Sequence, residues 1–160
     1  MSYYLKATSC KNFIVEKGHQ QLYQIDTNWS GTKAYAAIGT DMLEIKPTNF
    51  WKSKFNINYS GKDIGTLHFN WRSHGFLDLV NEQGDILRLT LKQRGFFSQR
   101  YEVYTEDPYP IITLFSKMDW FKFNYDVQIH DPNFNTFPLS VLMGILGFVV
   151  NTIRRRNSGN

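Results

Sequence analysis

The segment from Val141 to Val150 is a run of ten residues without a polar side chain, near the end of a chain of 160 residues. A helix that is apolar on every face has to be buried on every face. From Phe137 to Ile153 such a helix is ~25 Å long at about 1.5 Å per residue, which is less than the ~30 Å of hydrocarbon in a bilayer. The run therefore predicts a helix buried inside the protein. A tail anchor that spans a membrane over residues 137–153 is the alternative.

Before this run, the chain alternates between apolar and polar residues, as is typical of strands with one buried face. Glycines and prolines separate the alternating segments, and their spacing predicts about twelve strands. The clearest segments are Lys54–Tyr59, Ile64–Arg72, Ile86–Lys92 and Lys122–His130. The predicted inward side chains are Phe55, Ile57, Tyr59, Leu67, Phe69, Trp71, Leu87, Leu89, Leu91, Phe123, Tyr125, Val127 and Ile129.

Strands and helix together predict one all-β domain with a single helix over residues 1–160. A barrel of about eight strands fills its interior with its own side chains, whereas a larger barrel leaves a lumen. About twelve antiparallel strands therefore predict a closed barrel that encloses the hydrophobic C-terminal helix.

The predicted helix covers about residues 137–156. Asn135 or Thr136 is the expected N-cap, and Pro138 is tolerated in the first turn. Residues expected in the core are Leu142, Ile145, Leu146, Val149 and Asn151. The asparagine amide must find a partner there, because an unpaired buried polar group costs about 1 to 3 kcal/mol. We expect Arg154–Arg156 in solvent at the barrel mouth, where cations complement the helix dipole.

The cysteine content and the sequence of the N-terminus favour a cytoplasmic protein. The formal net charge is +4, and Arg154–Arg156 supply three of these charges, which leaves 4 − 3 = +1 for the rest. Cys10 is the only cysteine, so an intramolecular disulfide is excluded. The segment Met1–Lys11 lacks the apolar stretch of a cleaved signal peptide.

No group of residues in the sequence has the spacing of a catalytic or metal site. The candidates are Cys10, His19, His68, His74, His130, Asp131, Glu106 and Asp107. The cysteine and the first histidine lack a third group to orient them, and the other histidines have no metal-ligand spacing. The adjacent acidic pair precedes a proline, as in a solvated turn. The sequence therefore predicts a protein that is not an enzyme and has no cofactor or metal.

The strongest surface signal is the segment Lys92–Arg100, in which basic residues flank two adjacent phenylalanines. Cations suit anionic headgroups, and aromatic rings suit the membrane interface. The predicted lipid-binding or anion-binding residues are Arg88, Lys92, Arg94, Phe96, Phe97, Arg100, Arg154, Arg155 and Arg156. A second basic stretch has Lys46, Lys52 and Lys54 around Phe50 and Trp51.

Two other interpretations of these basic stretches stay open. The rings can fold back onto the core while the charges protect a strand edge. Alternatively, the aromatics can stack on the bases of a nucleic acid, which the near-neutral body of the chain disfavours.

Over its whole length, the chain resembles the tubby C-terminal-like superfamily, which also holds the phospholipid scramblases and the LURP-one-related proteins. The resemblance rests on many short strands that end in Tyr125–Ile129, on the turn His130-Asp131-Pro132, and on the apolar helix Leu139–Ile153. It implies a twelve-stranded barrel threaded by the helix, and some members bind phosphoinositides or associate with membranes.

Two departures from this family bear on function. The sequence has no Asp-rich loop ahead of the helix, which argues against calcium-dependent lipid movement. The helix ends in three arginines, where relatives often end in acidic residues.

Taken together, the sequence predicts a non-enzymatic binding or adaptor protein at the inner face of a membrane. Its expected partners are anionic phospholipid headgroups, with a protein partner also possible. The tail-anchored protein and a barrel enzyme acting on a lipid-like ligand are the alternatives.

Overall fold

The computed structural model of the chain describes residues 2–28, 30–49, 51–95, 99–119 and 122–157. Twelve antiparallel strands form a closed barrel in which each strand pairs with the next and the last pairs with the first. The predicted fold class is confirmed. The strands are β1 (Tyr3–Ala7), β2 (Phe13–Lys17), β3 (Gln20–Thr27), β4 (Ala34–Ile38), β5 (Asp41–Pro47), β6 (Lys54–Tyr59), β7 (Lys62–Phe69), β8 (Gly75–Val80), β9 (Ile86–Arg94), β10 (Arg100–Tyr104), β11 (Ile112–Asp119) and β12 (Lys122–Ile129).

The alternation of the sequence is reproduced in the strands, whose apolar residues face the lumen. Most of the predicted inward side chains are buried, and Tyr59, Phe123 and Ile129 are partly buried against the core. The buried members are Phe55, Ile57, Leu67, Phe69, Leu87, Leu89, Leu91, Tyr125 and Val127.

Trp71 is the exception: its side chain is 84 % exposed, so the prediction that it points inward is wrong. The strand β7 ends at Phe69. After it, the Asn70 side chain accepts hydrogen bonds from the backbone N–H groups of Arg72 at 3.0 Å and His74 at 2.9 Å. These bonds hold the chain in a loop, where a period of two no longer applies.

The helix α1 (Leu139–Asn157) runs through the barrel, and the predicted core residues Leu142, Ile145, Leu146 and Val149 are all 0 % exposed. It begins two residues later than predicted and ends one residue later. Pro138 precedes it and accepts the first bond, from the Leu142 N–H at 3.0 Å. The expected capping residues Asn135 and Thr136 therefore lie too far upstream to cap it.

Within the described residues, no helix is both long and apolar enough to cross a membrane.

Two glycines allow the helix to lie close to the barrel wall. A Cβ atom on Gly147 would lie 2.3 Å from Cζ of Phe13, and one on Gly144 would lie 2.5 Å from the Tyr23 hydroxyl. The Tyr23 hydroxyl accepts a hydrogen bond from the Gly144 N–H at 3.0 Å and donates one to the Ser140 carbonyl at 2.5 Å. Helix and wall are therefore fixed to each other by both packing and hydrogen bonding.

Antiparallel pairing sends successive connections to opposite ends of the barrel. The helix-end rim consists of the connections after odd-numbered strands, together with the last turn of α1. Their described residues are 8–12, 28, 30–33, 48–49, 51–53, 70–74, 95 and 99. The helix-start rim consists of the connections after even-numbered strands, which are residues 18–19, 39–40, 60–61, 81–85, 105–111 and 130–138.

Candidate functional site

Three successive connections of the helix-end rim have the same construction. Each has an asparagine at its first or second position, at Asn28, Asn49 and Asn70, so that the spacing is 21 residues. The side-chain oxygen of each accepts a hydrogen bond from the backbone N–H four residues later, at 2.8, 3.0 and 2.9 Å respectively. Asparagine side chains favour such local turns. The rim is thus built from repeated, well-tied loops.

The loops close through a residue with positive φ at the fourth position. Gly31 has a φ of 71°, Lys52 of 55° and Ser73 of 59°. The N–H of that residue donates to the carbonyl of the asparagine in each case, at 2.9, 3.2 and 3.0 Å. The asparagine therefore ties the backbone of each loop through both its side-chain and its main-chain oxygen.

Two of the four tryptophans of the chain, Trp51 and Trp71, lie in described loops of the helix-end rim. Trp51 is 80 % exposed and Trp71 is 84 % exposed, on neighbouring loops. Trp29 and Trp120 lie outside the described residues. Indole rings are mostly buried in folded proteins, so two that face solvent side by side indicate a contact surface.

Charge is segregated between the two rims. The connections of the helix-end rim contain four basic residues and no acidic residue in their sequence, namely Lys11, Lys33, Lys52 and Arg72. The connections of the helix-start rim contain five acidic residues and no lysine or arginine, namely Glu82, Asp85, Glu106, Asp107 and Asp131. The barrel therefore carries a positive end and a negative end.

The predicted site residues Arg94 and Arg100 face each other across β9 and β10, at the helix-end side of the barrel. The segment has no acid in its own sequence, but Glu102 lies beside it, 3.7 Å from Arg94 and 3.4 Å from Arg100. An acid from the paired strand therefore lies between the two arginines, and their predicted contact with lipid stays a prediction.

Two further predicted residues lie along the outer face of β9. Arg88 approaches Asp78 at 3.8 Å, and Lys92 lies 5.4 Å from the ring centre of Tyr104. Exposed ion pairs of this kind are worth at most about 1 kcal/mol. Phe96 and Phe97 lie outside the described residues, so their predicted insertion stays a prediction.

The arginines at the end of α1 were expected in solvent, and that expectation is wrong. Arg154 lies 4.0 Å from the ring centre of Phe123 and donates to the Tyr125 hydroxyl at 2.8 Å. Tyr125 in turn donates to the Asn151 side chain at 3.1 Å, which confirms that this amide has a partner inside the barrel.

Arg155 and Arg156 also fold back onto the barrel. Arg155 donates to the Gly31 carbonyl at 2.8 Å, and burial lowers the pKa of its guanidinium group. Arg156 lies 5.2 Å from the ring centre of Phe69. The helix extends to Asn157, so all three arginines stay within its last turn, against the rim. Their first role is to close this end of the core.

The remaining residues that the sequence offered as catalytic or metal-site candidates do not form one cluster. Cys10 is exposed at the helix-end rim, while Glu106 and Asp107 are exposed at the opposite one. His68 stacks on Phe76 at 4.9 Å. Among the described residues, no group of histidine, cysteine and acidic side chains has the arrangement of a metal site. That the protein is not an enzyme stays a prediction.

Sequence reasoning missed Trp71 and His74 as members of this surface. The signal that would have found them is the 21-residue spacing of Asn28, Asn49 and Asn70, which predicts three equivalent loops.

Comparison of the chain with protein-family models, curated proteins and solved structures finds no match. The resemblance to the tubby C-terminal-like superfamily stays a prediction.

Proposed function

We propose that the chain is a non-enzymatic binding protein that attaches peripherally to anionic phospholipid surfaces through its helix-end rim. The observation that carries the proposal is the position of two exposed tryptophans, Trp51 and Trp71, among basic loops without acidic residues at one end of the barrel. Indole rings prefer the boundary between headgroups and acyl chains, and nearby cations are attracted to anionic headgroups.

Both the basic residues and the tryptophans are needed for measurable binding. Each basic residue near an anionic surface contributes about 1 kcal/mol, so Lys11, Lys33, Lys52 and Arg72 together give ~4 kcal/mol, which corresponds to a millimolar Kd. Trp51 and Trp71 add about 1.5 to 3 kcal/mol each if they become fully buried. The sum reaches the micromolar range, and the tryptophans decide whether binding is measurable.

The negative helix-start rim supports one orientation of the protein on the membrane. Like charges repel, so the end with Glu106 and Asp107 faces away from an anionic surface. At physiological salt the Debye length is about 8 Å, so only the rim in contact with the membrane is attracted. This orientation would place the protein at the inner, anionic face of a membrane.

The test is co-sedimentation with vesicles of phosphatidylcholine alone, or of phosphatidylcholine with phosphatidylserine or a phosphoinositide. The native chain should sediment with the anionic vesicles only, and less so as salt is raised. Replacing Trp51 and Trp71 by serine, or Lys52 and Arg72 by alanine, should each reduce binding. The Tyr109→Ser variant is the matched control, because this aromatic is 79 % exposed at the opposite rim.

Equal sedimentation with neutral vesicles, or no sedimentation with either kind, would overturn the proposal. An equal loss of binding in the Tyr109→Ser variant would do the same. All of these side chains are exposed or in loops, so circular dichroism should verify that every variant stays folded.

A further inference from the structure

A polar cleft of about 390 Å³ lies on the helix-end rim between the loop that joins β7 to β8 and the ends of β9 and β10. It is lined by Arg72, Ser73, His74, Gln93, Gly95, Gln99 and Asn157. Its volume is within the range of small-ligand sites. Among the described residues that line it, none is acidic, so the cleft presents donors and positive charge.

Arg72 is the cation of this cleft. Its guanidinium group lies 4.7 Å from the ring centre of Trp71, and its backbone N–H is tied to Asn70 at 3.0 Å. None of the ion pairs in the described part of the chain involves Arg72. A guanidinium group offers paired N–H donors that match the oxygens of a phosphate group.

His74 is the titratable group of the cleft. Burial lowers the pKa of its imidazole, and the nearby charges of Lys92, Arg72 and Arg94 lower it further. The acid nearest these cations, Glu102, is paired with Arg94 and Arg100 instead. The imidazole is therefore neutral at neutral pH, and the charges that lower its pKa, those of Lys92, Arg72 and Arg94, are all positive.

We infer that this cleft binds the oxyanion of a phosphate ester, with Arg72 as the charged donor, and that binding is accompanied by uptake of a proton at His74. An anion in the cleft stabilises the protonated form of an imidazole that lines it, and its charge offsets part of the repulsion from the three cations. The inference deepens the proposed function and rests on it insofar as the phosphate comes from a lipid headgroup. A soluble phosphate ester has the same chemistry.

Binding should therefore tighten as the pH falls. Without ligand, the pKa of His74 lies below its ordinary value of about 6.5, and the bound anion raises it. At pH values between the pKa of free and of ligand-bound His74, each decrease of one pH unit should lower the Kd by at most about tenfold. Above this window His74 is neutral whether or not ligand is bound, and affinity should no longer depend on pH.

The soluble probe is glycerophosphoinositol, a phosphodiester whose own charge stays constant between about pH 5 and pH 8, so that any pH dependence belongs to the protein. The imidazole signal of His74 is followed by NMR through pH titrations with and without the probe. We expect its pKa to rise with the probe present. His74→Gln should abolish the pH dependence, whereas His68→Gln, on the outer face of β7, should leave it unchanged.

A second arm uses vesicles with phosphatidylinositol in place of the probe and distinguishes the source of the phosphate. An unchanged His74 titration with both the probe and the vesicles would overturn the inference, even if the vesicles still sediment with the protein through its tryptophans. A response to the probe without vesicle binding would support the cleft and reject the proposed membrane role. Equal pH dependence in the native chain and in His74→Gln would also overturn the inference.

Discussion

At the scale of single residues, the interior leaves almost no room between helix and wall. Gly147 lies against Phe13, and Gly144 lies against the Tyr23 hydroxyl. In an exposed helix, replacing glycine by alanine stabilises by about 1 kcal/mol. Here the added methyl group has no space, so steric contact should outweigh helix propensity.

We therefore expect Gly147→Ala to lower the free energy of unfolding by about 1 to 3 kcal/mol, the usual penalty of overpacking. Urea denaturation followed by circular dichroism measures this change. Phe13→Leu removes the ring atoms that the new methyl group meets, so the double variant should be more stable than the sum of the two single effects predicts. A Gly147→Ala variant that is more stable than the native chain would contradict the close approach.

Buried tyrosines make the fold sensitive to high pH. Burial raises the pKa of Tyr101 to about 12 and also raises the pKa values of Tyr23 and Tyr125. In the unfolded chain they ionise near pH 10. Their contribution to stability is complete below that pH, and it is lost as the pH rises from there through the folded pKa.

The free energy of unfolding should accordingly fall between about pH 10 and pH 12, by about 1.4 kcal/mol per pH unit for each tyrosine that ionises only in the unfolded state. Urea titrations at about pH 9 and about pH 11 measure the slope. Tyr101→Phe is informative because this hydroxyl has no hydrogen-bond partner in the described part of the chain. The free energy of unfolding of the Tyr101→Phe variant should fall less steeply with pH than that of the native chain. An identical pH dependence would contradict the raised pKa of Tyr101.

At the scale of elements, the rim loops depend on single asparagine side chains. Asn70 accepts two backbone hydrogen bonds, at 3.0 and 2.9 Å, within a five-residue connection. Removing the acceptor leaves two N–H groups without their partner, although water can reach them. Each such bond contributes about 1 kcal/mol.

We expect Asn70→Ala to destabilise the protein by about 1 to 2 kcal/mol and Asn70→Asp to retain most of the stability, because a carboxylate oxygen accepts the same bonds. Thermal denaturation compares the two variants. If both lose stability equally, the side-chain oxygen is not what holds the loop.

The elements also show which parts of the molecule sequence can predict. Strands with an uninterrupted alternation, such as β9, and the helix with apolar residues all round were predicted because burial imposes a regular period. Trp71 was misplaced because the side chain of Asn70 ties the chain into a loop, so that β7 ends at Phe69, three residues before the predicted end at Arg72. The arginines were misplaced because their contacts come from loops distant in sequence, such as Gly31.

At the scale of the whole molecule, segregation of charge and tryptophan was beyond sequence reasoning, because it depends on which connections share an end of the barrel. Connections can be assigned to one end or the other only if the number of strands is known to be even and each strand is known to pair with the next one in the sequence. Once the barrel closes, residues as far apart as Lys11 and Arg72 belong to one surface.

The proposed orientation can be measured with the single cysteine. Cys10 is exposed at the helix-end rim, so a fluorophore attached there should be strongly quenched by acceptor-labelled anionic vesicles. A fluorophore at position 107 of the double variant Cys10→Ser, Asp107→Cys should be quenched less, since it lies at the opposite rim. Equal quenching from both positions would mean that the protein binds without a preferred end.

Closure of the barrel around its own helix links the two ends of the chain in folding. The pairing of β1 with β12 joins Tyr3 to Val127 and Leu5 to Tyr125, contacts whose large sequence separation slows folding. The helix follows β12 in the chain and lies inside the ring, so it has to be in place before the ring closes. We expect the seam and the helix to gain hydrogen-exchange protection together in pulse-labelled refolding, since an empty closed barrel would have no way to admit its core.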